Sequence, residues 1–245
     1  MFDSILAANL NINADYEKIS QEILQCRKHW EYSPIWKKWI DAANEGKIFK
    51  VESDENYESV SRQYFSNHVL KHDRRKFNGV YTLYLRSPGP EYLFSKRGFG
   101  ITKYINHNEW IWKKSLENSI PYTIETISKL PFHHIGLVRV FITENTFFPT
   151  HHDYEAEKDN RPEDNIDLGK SLGISIVPLT GDVPLKIWSS CDNIVKEVPG
   201  HAHIFRDTQP HGVPFTDKIR ITIRIFGDVN YDELEKLVDK DSIIY

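Results

Sequence analysis

The 245-residue chain has only two cysteines, Cys26 and Cys191, which lie far apart and lack metal-type spacing. No disulfide framework is expected, and both are read as free thiols of a reducing, cytoplasmic compartment. Long apolar runs are missing as well. No stretch approaches the roughly 20 apolar residues of a membrane-spanning helix. Met1 to Asn13 lacks a basic start and is poor in apolar residues, so no signal peptide is expected. Nor is there an excess of positive charge: 31 Lys and Arg face 35 Asp and Glu, a net charge of −4. A nucleic-acid partner is disfavoured, because such proteins carry a basic stripe or patch. The short cluster Lys71-His72-Asp73-Arg74-Arg75-Lys76 reads as a solvated loop.

What the sequence does have is rings, with 13% aromatic residues in a chain that is 40% hydrophobic. That suits a ring-rich core or a ring-lined pocket. A charged fraction of 27% is ordinary for a globular protein. One domain is expected over 1–245. It divides into N-terminal support of helices and strands (1–134), a β core (135–227) and a C-terminal helix (228–245).

The first third reads as helical. Tyr16, Ile19, Ile23, Cys26 and Trp30 recur at steps of three and four, the spacing of one helix face. Ser33-Pro34 opens a second helix through Trp36, Trp39 and Ile40. Val80 to Leu85 is β-branched and aromatic and reads as a strand, with Tyr92-Leu93-Phe94 as its partner. A further helix fits Tyr122 to Leu130, with Pro131 beyond its end. Strands then follow at 135–143, 147–153, 172–179, 184–190, 194–198, 202–206 and 218–226, separated by turn residues such as Pro199-Gly200. Many short strands predict a sandwich or open barrel. His133-His134 reads as a solvated turn, and Trp188 as a core residue. Asn230 and Glu233 stand at the cap and third positions of a final helix. The polar stretch Tyr154 to Lys170 reads as a lid or a disordered loop.

Chemistry concentrates in Thr150-His151-His152-Asp153, at the end of an apolar strand. Side chains alternate across a strand, so His151 and Asp153 share a face and His152 takes the other. One imidazole and one carboxylate supply two ligands of a mixed N/O metal site. His211, in Pro210-His211-Gly212-Val213, is the best third. Two His and one carboxylate on one octahedral face leave the other positions open, as non-haem Fe(II) oxygenases require. Nine residues on stands Arg220, in Lys218-Ile219-Arg220-Ile221-Thr222-Ile223-Arg224-Ile225-Phe226. Four isoleucines occupy one face of this strand, while Arg220, Thr222 and Arg224 share the other. A guanidinium is a rigid two-pronged donor that matches a carboxylate, and the Thr222 hydroxyl can add a third donor. Arg139 and Arg224 are the other charges expected on inner faces. They could recognise substrate, or pair with a buried carboxylate such as Asp207.

The run His151-x-Asp153, His211, Arg220-x-Thr222 resembles the motif of 2-oxoglutarate/Fe(II)-dependent dioxygenases with a double-stranded β-helix (jelly-roll, cupin-like) core. In finer detail it looks like the aspartyl/asparaginyl β-hydroxylase-like branch, which includes bacterial proline hydroxylases. The stretches that carry this are Val138-Arg139-Val140, Pro149 to Asp153, Pro199-Gly200, Phe205-Arg206-Asp207 and His211-Gly212-Val213, all within 135–227. The resemblance implies that 2-oxoglutarate chelates Fe(II) and is oxidatively decarboxylated by O2 while a substrate C–H bond is hydroxylated. The substrate expected is a small polar molecule such as a free amino acid; a peptide or protein side chain is the alternative.

Two rival readings stay open. Two His, one carboxylate and a water also describe catalytic zinc, which suggests a hydrolase. His201 and His203 stand in His-x-His register, as in a cupin-like metal-binding domain.

Overall fold

In a computed structural model of the chain, the residues described are 2–32, 79–88, 110–151, 172–189, 194–206, 209 and 211–245, without the side chains of Asp3, Pro88, Pro149, Thr150, His151, Leu172, Ser189 and Ile194. The expected second helix, Tyr92–Phe94, the basic cluster, Cys191, Asp207 and the whole of 152–171 lie outside them. The elements in chain order are β1 (Ala7–Asn9), α1 (Tyr16–Gln25), β2 (Glu31–Tyr32), β3 (Gly79–Pro88), β4 (Trp110–Trp112), α2 (Lys114–Glu117), α3 (Pro121–Ser128), β5 (Phe132–His151), β6 (Leu172–Leu179), β7 (Leu185–Ser189), β8 (Ile194–Val198), β9 (Ala202–Arg206), β10 (His211–Val229) and α4 (Tyr231–Leu237).

Pairing is antiparallel throughout and forms two layers that share their longest strands. The first layer runs β1-β9-β6-β10-β5-β3-β2, with β4 beside β3. The second contains β8 paired to β7, and β7 paired to the start of β10 at His211 and Gly212. There β10 also meets the end of β5. The chain therefore alternates between layers: the start of β5 in the first, its end in the second, β6 in the first, β7 and β8 in the second, β9 in the first, and β10 from second to first. This is a double-stranded β-helix.

The strands expected at 135–143 and 147–153 are one continuous strand, and the one expected at 218–226 begins earlier. β5 runs unbroken through Glu144–Thr146, where Asn145 has φ 46°. β10 starts at His211 instead of 218 and shifts register between Val213 and Ile219. Irregularities of this kind bend a strand sharply, so one strand can serve both layers. The bend in β10 is pinned to the turn after β6. Thr216 Oγ1 donates to the Gly181 carbonyl at 3.1 Å, and Lys218 forms an ion pair with Asp182.

The outer face of the first layer is apolar and carries the helices. Ile221, Ile223 and Ile225 are fully buried with Val138, Val140, Ile19, Ile23 and Ile127 in one cluster. Burying each such isoleucine stabilises the fold by about 1.5–3 kcal/mol. The Glu22 carboxylate locks α1 to α3 by accepting from Tyr122 N, Thr123 N and Thr123 Oγ1 at 2.7–3.0 Å. It satisfies orphan N–H groups at a helix start that has no capping side chain of its own. A second cluster, with Ala7, Phe148, Ile187, Val198, Phe205 and Val213, fills the space between the layers.

Several expectations are corrected. The first third is not simply helical: β1 and β2 border the first layer, and α1 ends at Gln25, before Trp30. His133 and His134 are exposed but lie on β5, not in a turn. The Asn230 cap is as expected, its side chain accepting from Glu233 N. Trp188 is buried. Among the described residues no helix is long and apolar enough to cross a membrane.

Candidate functional site

The second layer sets the backbone positions of His151 and His211 opposite one another, as direct cross-strand partners at the end of β5 and the start of β10. His211 is 5% exposed. Its Nδ1 lies 2.8 Å from the Gln209 carbonyl oxygen. A carbonyl only accepts, so Nδ1 carries the proton and Nε2 presents its lone pair, the arrangement of a metal-ligating histidine. The Phe205 ring packs edge-on against the imidazole, 4.7 Å between centroids, and fixes its plane. Among the described residues, no group of three or more His, Cys, Asp or Glu is close enough to hold a metal. The set expected from the sequence draws on Asp153, which lies outside the described residues, as does His152.

Arg220 follows the bend in β10. It is 4% exposed and bonds through Nη1 to Thr222 Oγ1 on the same face. Its carbonyl accepts from Thr143 Oγ1 on β5. The alternation expected for this strand holds, with isoleucines on the helix-covered side and Arg220, Thr222 and Arg224 on the side facing the second layer.

Arg224 is held on four sides. Its Nη1 donates to the Gly173 carbonyl at 3.3 Å and to Ser175 Oγ at 3.0 Å, and its Cζ lies 4.1 Å from the Phe205 ring centroid and 5.0 Å from that of Phe226. Gly173 is what admits it, since a Cβ there would stand 2.5 Å from Arg224 Nη2. Arg139 is the cross-strand partner of Arg224 and rests on the rings of Phe141 and Tyr84 at 4.4 and 5.1 Å. The contacts described for this pair are thus rings, a carbonyl and a hydroxyl. Among the described buried residues the one carboxylate is Glu22, on the outer, helical side.

His203 was weighed in the sequence only as half of a His-x-His pair. The pair does not converge. His201 bonds the Val177 carbonyl and stacks on Tyr16 of α1, whereas His203 is 1% exposed and packs toward Phe205. Burial, then the nearby Arg220 and Arg224 charges, lower the His203 pKa to about 3. Alternation along Ala202-His203-Ile204-Phe205 was the signal that could have placed it on the inner face.

The residues present suit an iron and 2-oxoglutarate. An imidazole with its tautomer fixed faces a second histidine position, and a buried guanidinium with a hydroxyl beside it lies further along the same strand. No family model matches the chain, and no curated protein matches it. Among solved structures, a Pseudomonas putida prolyl-4-hydroxylase is similar over 91% of this chain and 92% of its own, at 12% identity and TM-score 0.35. A Burkholderia pseudomallei oxidoreductase of the 2OG-Fe(II) oxygenase family is similar over 89% and 94%, at 9% identity and TM-score 0.34. A collagen prolyl hydroxylase of Paramecium Bursaria Chlorella virus-1, in complex with 2OG, is similar over 74% and 96%, at 12% identity and TM-score 0.30.

Proposed function

We propose that the chain is a cytoplasmic, single-domain non-haem Fe(II) and 2-oxoglutarate-dependent dioxygenase that hydroxylates a small polar substrate, in the manner of the proline hydroxylases. His151, Asp153 and His211 hold the iron, and Arg220 with Thr222 holds the distal carboxylate of 2-oxoglutarate. The observation that carries this reading is His211: its Nδ1–H is committed to the Gln209 carbonyl, so Nε2 carries the lone pair, and its cross-strand partner is His151. When bound, iron and 2-oxoglutarate supply the O2-derived oxidant that hydroxylates carbon.

The chain's own groups bind and orient. The Gln209 carbonyl fixes the His211 tautomer, and Phe205 fixes the ring plane. Arg220 offers a planar fork to a carboxylate in a site shielded from water, where a charge-assisted pair is strong. Arg139 and Arg224 are the substrate-side cations. The zinc-hydrolase reading gives Arg220 and Thr222 no task.

Anaerobic titration of the protein with 2-oxoglutarate, with and without one equivalent of Fe(II), tests this reading. Bidentate chelation predicts binding at least tenfold tighter with iron present. Equal affinity in both arms overturns it.

A further inference from the structure

We propose that His203 is a 2-oxoglutarate-binding residue, whose Nδ1–H donates to the distal carboxylate beside Arg220 and Thr222. The inference rests on the dioxygenase reading and adds to it a residue of β9, a strand that carries none of the other proposed ligands.

The strand pattern puts the ring inside. Along Ala202-His203-Ile204-Phe205, Ala202 and Ile204 join the helix-covered cluster, whereas Phe205 belongs to the cluster between the layers. The His203 ring lies on the Phe205 side, 5.8 Å between centroids. Register across β9, β6, β10, β5 and β3 sets His203, Ser175, Arg224, Arg139 and Tyr84 in one transverse row.

His203 is 1% exposed, and its Nδ1 is buried with no hydrogen-bond partner among the described residues. Ser175, next to it in the row, holds Arg224 Nη1 with its hydroxyl oxygen. A buried polar nitrogen left in this way costs stability, and a bound acceptor removes that cost. The ring is neutral at ordinary pH, with its pKa lowered to about 3 by burial and then by Arg220 and Arg224. It therefore has one N–H to give.

The likeliest recipient is set by where Arg220 reaches. Arg220 bonds through Nη1 to Thr222 Oγ1, so its side chain runs along β10 toward the row of His203. Of the two charges that depress the His203 pKa, Arg220 acts more strongly, although Arg224 is the one that shares the row. Thr222 Oγ1 accepts from Arg220 and keeps its own proton to donate. A carboxylate offers about four lone-pair sites on its two oxygens. The Arg220 fork fills two, the Thr222 hydroxyl a third and the His203 N–H the fourth.

Affinity is read anaerobically, without turnover, by titrating the iron-loaded protein with 2-oxoglutarate or with 2-oxovalerate. The second compound has the same chelating end but a methyl group in place of the distal carboxylate. His203→Leu is expected to bind 2-oxoglutarate at least tenfold more weakly, the loss of a hydrogen bond to a charged group, and to bind 2-oxovalerate as wild type does. His203→Asn, whose amide nitrogen can stand where Nδ1 stands, is expected to bind 2-oxoglutarate within a few-fold of wild type. His203→Phe carries the same test if the Leu variant does not fold. The proposal is overturned if a folded Leu or Phe variant binds 2-oxoglutarate as tightly as wild type, if both compounds are weakened alike, or if the Asn variant is as weak as the Leu variant. Wild-type binding of 2-oxoglutarate that ignores iron overturns the dioxygenase reading and this proposal with it. Iron-dependent wild-type binding that the His203 variants leave unchanged overturns this proposal alone.

Discussion

Arg139 and Arg224 are directly opposed on adjacent antiparallel strands, and each is only 4% exposed. Two guanidiniums side by side are costly in a region whose other residues are mostly apolar. The pair is tolerable because rings stack on both and because Gly173 lets Arg224 lie against the β6 backbone.

Replacing His211 with Ala is expected to lower Fe(II) affinity at least tenfold, since two remaining ligands compete poorly with water. Equilibrium dialysis and metal analysis measure this. Full iron occupancy in folded His211→Ala would remove His211 from the ligand set.

Arg220→Ala is expected to raise the apparent KM for 2-oxoglutarate while leaving iron binding in place. Truncating one member of a buried charge pair costs about 2–5 kcal/mol. Steady-state kinetics on both arginine variants decide the assignment: a large effect from Arg224→Ala and none from Arg220→Ala would exchange their roles.

Acid sensitivity should trace to His203. Its folded pKa, about 3, lies below the ordinary value of 6.5, so the unfolded chain binds the extra proton between those values. Its contribution is complete above pH 6.5 and is lost as pH falls toward 3. Denaturant unfolding should show stability falling by a few kcal/mol over that window. The slope should be shallower in His203→Asn. An unchanged slope in that variant would show that other groups govern acid unfolding.

Gly227→Ala is expected to destabilise the fold by about 1–3 kcal/mol. A Cβ at Gly227 would stand 2.3 Å from the His134 carbonyl oxygen, where backbone and not a flexible side chain must yield. Thermal or denaturant unfolding reads the loss, and a wild-type midpoint would mean that β5 and β10 can separate there at little cost.

The strongest signals in the sequence were periodic ones. Alternating Ile and Arg from 219 to 225 announced a strand with a helix-covered face and a polar inner face, and the first layer is built on it. The Asn230 cap announced α4. Elements with weak propensity stayed hidden. Ala7-Ala8-Asn9 has no β-branched residue, and it is a strand because β9 offers it an edge. The length of β5 was hidden because the strand pattern breaks between 143 and 147, whereas the strand runs on through Asn145 at φ 46°, opposite an extra residue in β10. The candidate site was legible as a list of residue types and not as an arrangement. The pairing of His211 with His151 depends on bends in two long strands, and the position of His203 on a register across five strands. Neither follows from local pattern.

The most direct test of the proposed chemistry is succinate release from 2-oxoglutarate in air, compared across Fe(II), Zn(II) and metal-free protein, with free amino acids as candidate substrates. The expected result is succinate with Fe(II) alone, rising when a substrate is present and matched by a product one oxygen heavier. Absence of Fe(II)-dependent succinate from folded, iron-loaded protein, or equal activity with Zn(II), would contradict the dioxygenase assignment.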